Sequence, residues 1–169
     1  MKVLYASSEA APFVKTGGLG DVLGSLPQAL AQKEGMDVRV VLPLYKKTKE
    51  KFEQQLEFVD KTTVSLSWRN QYCGIYKIEN NGVIYYFIDN EYYFKRDSIY
   101  GDFDDAERFA FFSKAVLDIM PIIDFYPDIM HTNDWQSAMS VVYLKRKYCL
   151  KPYYRDIKTI YTIHNIDYQ

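Results

Sequence analysis

The sequence predicts an α/β fold with a doubly wound, mostly parallel sheet that carries an antiparallel hairpin insertion. Three observations support this prediction. Short apolar runs alternate with segments of helical periodicity through most of the 169 residues. A glycine-rich segment joins the first apolar run to the first helical segment. The sequence Asn80-Asn81-Gly82 predicts a tight hairpin turn in the middle of the chain.

The first third of the chain predicts a βαβ unit. Val3–Ala6 and Val38–Leu42 are short apolar runs typical of buried strands. Between them, Asp21–Glu34 has apolar residues at helical spacing, and Gly35 is a fitting helix stop. Pro27 disagrees with a helix interior, so we expect it in the first turns, where proline is best tolerated. The two strands of such a unit are expected to be parallel.

The middle of the chain changes to strands in which polar and apolar residues alternate. These are Phe58–Trp68, Tyr72–Glu79 and Val83–Ile88, the last two joined by the Asn80–Gly82 turn. We expect them to form an antiparallel insertion or edge on the parallel sheet. The next segment, Asp89–Gly101, is polar and rich in tyrosine, and it predicts a surface loop.

The last third returns to alternating helices and strands. The predicted elements are a helix over Asp104–Met120, a strand over Asp128–Thr132, a helix over Trp135–Tyr148 and a buried strand over Ile157–Ile163. A strand of a parallel sheet is normally followed by a covering helix, yet only six residues remain. We therefore expect the chain to be part of a longer protein.

An acidic run stands at the start of the second predicted helix, Asp104–Met120. Asp102, Asp104 and Asp105 favour a solvated first turn over a metal site, because acidic first turns are common. Asp104 and Glu107 together resemble a capping box. No other cluster has metal-ligand spacing, and no Ser/His/Asp or Cys/His arrangement has a usable spacing, so no metal site and no nucleophile are predicted.

Composition and charge exclude several classes of function. The formal net charge is -1, so charge does not favour binding to nucleic acid or to an anionic membrane. Cys73 and Cys149 match no metal or redox spacing, which favours a reduced, cytoplasmic protein. No signal peptide and no membrane span are predicted. The 16 tyrosines and 10 phenylalanines favour an aromatic core, with stacking on sugars or bases as the alternative.

The segment Val14–Val22 has the features of a phosphate-binding loop. Gly17 and Gly18 allow a ligand to approach the backbone, and the helix that follows offers N–H groups to an anion. Lys15 adds a positive charge. The lysine precedes the glycines, unlike in a Walker loop, and a third glycine comes one place too late for a dinucleotide fingerprint. A glycine turn that only joins strand to helix is the alternative.

Ligands of open α/β sheets bind outside the carboxyl ends of the strands, and this rule selects three loops here. They are Ser7–Gly20, His131–Trp135 and His164–Gln169. Each of the two histidines of the chain stands at the end of a predicted strand, although structural histidines would fit there equally well. Asn133 or Asp134 alternatively caps the next helix, and Asn165 suits either a sugar hydroxyl or a turn.

Five motifs, in order along the whole chain, resemble the N-terminal part of bacterial glycogen synthases and plant starch synthases. They are Lys2–Phe13, Val14–Val22, Asp37–Pro43, His131–Gln136 and Thr162–Gln169. The resemblance implies a GT-B glycosyltransferase, in which two Rossmann-like domains face a deep cleft. It implies that residues 1–169 are the N-terminal, acceptor-side domain, and that the C-terminal nucleotide-binding domain lies outside this chain.

The activity implied by the resemblance is transfer of glucose from ADP-glucose to the non-reducing end of glycogen or another α-1,4-glucan. Configuration at the anomeric carbon would be retained, and no cofactor is implied. The fragment alone is expected to be inactive. A noncatalytic glucan-binding module and a related glycosyltransferase that uses a UDP-sugar are the alternatives.

Residue roles follow from matching positions in these motifs. The resemblance implies catalytic roles, close to the transferred glucose, for Asp134 and His164. It implies substrate contacts for Lys15, Thr16, Gly17, Gly18 and Asn165 and, under a looser alignment, for Tyr93. Tyr92 and Tyr100 fall in the same glucan-contacting region under a looser alignment.

Three positions depart from the residues usual in the family. The family usually has histidine at Asn133 and alanine at Asp167, and it often has alanine at Gly20. The Asn133 change weakens any role for that side chain, and Asp167 is expected to alter the loop after His164. The resemblance implies that the leaving diphosphate takes the proton of the acceptor, so catalysis would depend on positioning and on stabilising leaving-group charge.

Overall fold

The computed structural model describes residues 1–166, which form one seven-stranded mixed sheet flanked by helices. The strands are β1 (Lys2–Ala6), β2 (Asp37–Pro43), β3 (Glu57–Leu66), β4 (Arg69–Asn80), β5 (Val83–Asp89), β6 (Ile129–Asn133) and β7 (Lys158–Thr162). Their order across the sheet is β3-β4-β5-β2-β1-β6-β7. Neighbours from β5 to β7 are parallel, whereas β3, β4 and β5 pair antiparallel. The predicted fold class is therefore confirmed.

Helices cover the two faces of the sheet. They are α1 (Gly18–Ala31), α2 (Lys46–Phe52), α3 (Glu91–Phe94), α4 (Asp105–Asp118) and α5 (Trp135–Arg146), with 3-10 turns at Glu53–Gln55, Tyr148–Leu150 and Pro152–Tyr154. Val3 and Tyr5 share a core with Leu23 of α1. Leu4, one residue along β1, shares the other core with Phe112 of α4. Because strand side chains alternate between faces, the sheet is buried on both sides in its centre.

Two predicted features of the sheet are confirmed in detail. In the parallel β1–β2 pair, Val3 lies opposite Val38. In the hairpin between β4 and β5, Asn80 lies opposite Val83, and the backbone φ angles of Asn81 and Gly82 are +51° and +76°. Positive φ at both central residues is what a two-residue hairpin turn requires.

Helix α1 begins earlier than predicted. It starts at Gly18 instead of Asp21, so Pro27 lies in the helix interior and the prediction that it occupies the first turns is wrong. A proline there removes one backbone hydrogen bond. Its ring is buried, and this apolar contact offsets part of the loss.

The tyrosine-rich segment after β5 is not a simple surface loop. It contains α3, whose Tyr93 and Phe94 are fully buried, so this prediction is wrong for that part. The rings of Tyr93 and Phe111 are 5.0 Å apart, and aromatic packing of this kind outweighs the polar residues around it. Helix α2 was not predicted, because Lys46–Phe52 is dominated by lysine and lacks a clear apolar period.

The acidic run before α4 is paired with arginines, so the predicted solvated first turn is wrong. Asp104 Oδ1 lies 2.5 Å from Arg96 Nη1, and Asp105 Oδ1 lies 2.8 Å from Nε of the fully buried Arg108. The predicted capping box is also absent, since the Asp104 side chain makes no cap hydrogen bond. Glu107 instead accepts hydrogen bonds from outside the helix. A buried arginine charge must be paired, so the aspartate side chains turn towards the arginines instead of towards solvent.

Strand β7 forms where a strand was predicted and pairs with β6, but the prediction that it is buried is wrong. It is the last strand of the described sheet, and Ile160 and Tyr161 are 45% and 42% exposed. An apolar run cannot distinguish an edge strand from a central one, because neighbours across the sheet are absent from the local pattern.

Candidate functional site

A cavity of about 840 Å³, which we call the cleft, opens at the carboxyl ends of β1, β6 and β7. The three loops selected from the sequence meet there, as the strand-end rule requires. The cleft is lined by Glu9, Thr16, Gly17, Gly18, Leu19, Val22, Tyr100, Gly101, Asp105, Asp134, Trp135, Gln136, His164 and Asn165.

Asp134 holds the loop after β7 in place. Its Oδ1 atom accepts hydrogen bonds from the backbone N–H groups of His164, at 2.5 Å, and Asn165, at 3.3 Å. Its own backbone N–H donates to the Thr162 carbonyl at 2.9 Å. Asp134 is the N-cap residue of α5 by position, as the alternative held, but its side chain makes no hydrogen bond to the helix. Its φ of +57° with ψ of 177° is a strained conformation for a residue other than glycine, and such strain is typical of functional sites.

Asn133 orients the ring of His164. The Asn133 amide nitrogen donates to the carbonyl oxygens of Ala6 and His131, which leaves its Oδ1 as the acceptor. His164 Nε2 lies 3.0 Å from that oxygen and therefore carries the proton. Although asparagine is not the usual residue of the family at position 133, its side chain has a structural role here, because it fixes the tautomer of His164.

The other histidine, His131, contacts Thr162 and Tyr5 and lies outside the lining of the cleft. His131 Nε2 is 2.7 Å from Thr162 Oγ1, and its ring packs 4.8 Å from that of Tyr5. Burial lowers the pKa of His131 below its ordinary value, and repulsion from the charge of His164 lowers it further. His131 is therefore neutral near pH 7 and does not line the cleft.

The glycine loop presents an open backbone to the cleft. Gly17 is extended, with φ of -153°, and Gly18 is the first residue of α1. Within the described part of the chain, no atom lies within 4 Å of a Cβ built at either glycine. Neither glycine has the positive φ that would require glycine. Their lack of a side chain instead leaves open space in which a ligand can reach the backbone.

Lys15 lies beside the cleft. Its Nζ atom is 2.7 Å from Asp21 Oδ1, and both side chains are about half exposed or more. Lys15 lines a neighbouring cavity of about 590 Å³, and Thr16 borders both this cavity and the cleft. An exposed ion pair of this type is weak, so an anionic ligand can replace Asp21 as the partner of Lys15.

Glu9 is a site residue to which sequence reasoning gave no role. Its buried carboxylate accepts hydrogen bonds from the backbone N–H groups of Thr16 and Gly17, from the Thr16 hydroxyl and from the Tyr100 hydroxyl. Two backbone N–H groups of the glycine loop are thus occupied by Glu9 and are not available to a phosphate. The available signal was its position, since an acidic residue soon after a buried central strand lies at the ligand-binding edge of the sheet.

The three tyrosines assigned by the looser alignment lie in different surroundings. Tyr93 is buried in the core, its hydroxyl donates to Glu107 Oε1 at 2.6 Å, and it lines neither cavity. Its position therefore gives no support to a substrate contact, which stays a prediction. Tyr92 is exposed, and Tyr100 borders both cavities.

Gln136 is a second residue that sequence reasoning missed. It lines the cleft, is 5% exposed, and its Oε1 atom has no hydrogen-bond partner within residues 1–166. The available signal was its place directly after Asp134-Trp135. Asp167, which also departs from the family pattern, lies outside the described residues.

The described residues contain neither a metal-binding cluster nor a membrane-spanning helix. No group of three or more His, Cys, Asp or Glu side chains between residues 1 and 166 is placed to hold a metal ion. No helix in that same part of the chain has the length and apolar character needed to cross a membrane.

Comparison with known proteins agrees with these features. The profile of the starch synthase catalytic domain family matches residues 2–169. The glycogen synthases of Desulforamulus reducens and Lactobacillus acidophilus are each 54% identical to this chain over 169 residues. These matches cover 100% of the chain but only 35% of each relative.

A solved structure gives the same result for the fold. The catalytic domain of starch synthase IV from Arabidopsis thaliana, bound to ADP and acarbose, matches with a TM-score of 0.79 and 29% sequence identity. The match covers 99% of this chain and 34% of that one.

Proposed function

This chain belongs to the starch synthase catalytic domain family, and from that membership we propose that it is the N-terminal, acceptor-side domain of a glycogen synthase. The complete enzyme would transfer glucose from ADP-glucose to the non-reducing end of an α-1,4-glucan, with retention of configuration. A second, nucleotide-binding domain would close the cleft from the other side.

The observation that carries this proposal is the meeting of three loops in one cleft. The Thr16–Gly18 backbone, Asp134 and the His164-Asn165 pair come from distant parts of the chain and line the same 840 Å³ cavity. A nucleotide sugar needs donors for its diphosphate, whereas a glucose unit needs fixed polar groups for its hydroxyls. Lys15, beside the cleft, supplies a donor for the diphosphate, and the polar side chains that line the cleft supply groups for the hydroxyls.

Residues of this domain would act by positioning and by charge. Lys15 can exchange Asp21 for a donor phosphate, where its positive charge would stabilise the leaving diphosphate. His164, held by Asn133 and Asp134, would lie against the transferred glucose. Gln136 offers an acceptor for a sugar hydroxyl. These side chains would hold the reactants in place while the diphosphate accepts the proton of the attacking hydroxyl.

A donor and acceptor assay of the complete enzyme tests the proposal. Glucose incorporation into glycogen from ADP-glucose is expected, with little from UDP-glucose. A preference for UDP-glucose would instead favour the related UDP-sugar transferase. Binding of maltooligosaccharides without any transfer would favour a noncatalytic module. The cytoplasmic location also stays a prediction, which fractionation of the cells would test.

A further inference from the structure

We infer that Glu9 is a positioning residue, whose buried carboxylate sets where Thr16, Gly17 and Tyr100 lie at the border of the cleft. The inference deepens the proposed function and rests on it, because the task of this loop is to present groups to the donor.

The contacts of Glu9 join two segments that are far apart in the sequence. Oε1 lies 2.7 Å from the Thr16 hydroxyl and 2.7 Å from the Tyr100 hydroxyl. Oε2 accepts from the Thr16 backbone and, at 3.3 Å, from that of Gly17. Glu9 is only 3% exposed. A buried carboxylate is costly unless hydrogen bonds satisfy it, and these four contacts supply them.

Glu9 also takes the place of an anion at the start of α1. Gly17 precedes the helix and has no side chain with which to cap it. The carboxylate of Glu9 accepts from N–H groups at that position and interacts favourably with the helix dipole. The phosphates of the donor would therefore be left with Lys15 and with N–H groups further along the loop, whose positions Glu9 controls.

The Tyr100 hydroxyl extends the same network. It donates to Glu9 and lies 2.7 Å from Ser8 Oγ, which can donate to it. Tyr100 and Thr16 form the boundary between the cleft and the neighbouring cavity. Loss of the Glu9 carboxylate would therefore free both Thr16 and Tyr100 to move. A displacement of about 1 Å in a positioning group can cost roughly a hundredfold in rate.

Kinetics of the complete enzyme test the inference. Glu9→Ala is expected to raise the KM for ADP-glucose at least tenfold and to change the KM for glycogen much less. Glu9→Gln should recover much of this loss, because one oxygen can accept from both backbone N–H groups while the amide donates to the hydroxyls. Asp89→Asn is the matched control, since Asp89 is also a buried carboxylate but lines neither cavity. Similar donor KM values in Glu9→Ala and Asp89→Asn would overturn the inference.

A double-mutant cycle tests whether Glu9 acts through the loop. If Glu9 positions Lys15, the double variant will lose less kcat/KM for the donor than the product of the two single-variant losses predicts. Independent, multiplicative effects would contradict this route.

Amide hydrogen exchange separates this inference from the proposed function, because it requires no activity. The Thr16 and Gly17 amides should exchange faster in Glu9→Ala than in Asp89→Asn. Equal exchange would overturn the inference, even for an enzyme that transfers glucose. Faster exchange together with no transfer from any donor would retain the positioning of the loop and reject the proposed function.

Discussion

The carboxylate of Asp134 lies 2.5 Å from the backbone nitrogen of His164. This one residue lies between the end of β6 and the start of α5, and it fixes the loop after β7. Because Asp134 accepts a hydrogen bond from the backbone N–H of His164, it fixes the position of His164 independently of the contacts of the His164 ring.

Asp134 should therefore affect both the loop and the reaction. We expect Asp134→Ala to lower kcat/KM at least a hundredfold and to cost about 1–3 kcal/mol of unfolding free energy, because two backbone donors lose their acceptor. Asp134→Asn keeps an oxygen at this position and should cost less stability. Steady-state kinetics and thermal unfolding of both variants provide the measurements. Near-normal activity in Asp134→Ala would be incompatible with the assigned role.

Lys15 should matter for the donor and not for the fold. A charged hydrogen bond to phosphate is worth about 1.5–3 kcal/mol, so Lys15→Ala should raise the KM for ADP-glucose roughly ten- to a hundredfold. Its exposed pair with Asp21 contributes little, and unfolding should change by less than about 1 kcal/mol. Lys61→Ala, on β3, is the matched exposed control. Unchanged donor kinetics would leave Lys15 as a turn residue only.

Substitution by alanine should destabilise the protein at Gly24 and leave its stability nearly unchanged at Gly17. A Cβ on Gly24 would lie 2.8 Å from Ala11 Cβ and 2.9 Å from the Ala11 carbonyl oxygen. Gly24→Ala should therefore destabilise by about 1–3 kcal/mol, although alanine is the better helix former. Gly17→Ala meets open space in an extended backbone and should stay within about 0.5 kcal/mol. Thermal unfolding decides, and equal stabilities would refute the packing argument.

His131 should make stability depend on pH. Burial lowers its pKa in the folded protein below the ordinary value of 6.5, so the unfolded chain binds the proton more readily. Its contribution to stability is present above that value and is lost as the pH falls through the folded pKa. We expect the unfolding midpoint of the wild type to fall between about pH 8 and 5.5 more steeply than that of His131→Gln. Parallel profiles would assign the slope to other groups.

The sequence predicted the parts of the fold that depend on local patterns. The β1–α1–β2 unit and the Asn81-Gly82 turn follow from apolar periodicity and backbone preference, and both are confirmed. The predictions failed where distant partners decide. Arg108 draws the acidic run inward, Tyr93 is buried by α4, and β7 lies at an edge, and none of these neighbours is visible in a local window.

The candidate site shows the same division. The loops were predicted from the ends of strands, and the cleft brings Thr16, Asp134 and His164 together. The tasks of Glu9 and Asn133 could not be predicted, because each depends on side-chain contacts between loops. An unpartnered buried acceptor such as Gln136 Oε1 is likewise visible only once its surroundings are known.

The position of β1 between β2 and β6 has a consequence for how the site forms during folding. The β1–β2 pair and the Glu9–Thr16 contact join residues close in sequence, so only short loops must close to make them. The β1–β6 pair spans more than a hundred residues, with Val3 opposite Ile129, and the contact between Asn133 and Ala6 depends on it. Contacts of such long range are the slow ones to form. The loop from Glu9 to Gly17 is therefore expected to acquire its shape first, and the His164 side of the cleft completes the site when β6 pairs with β1.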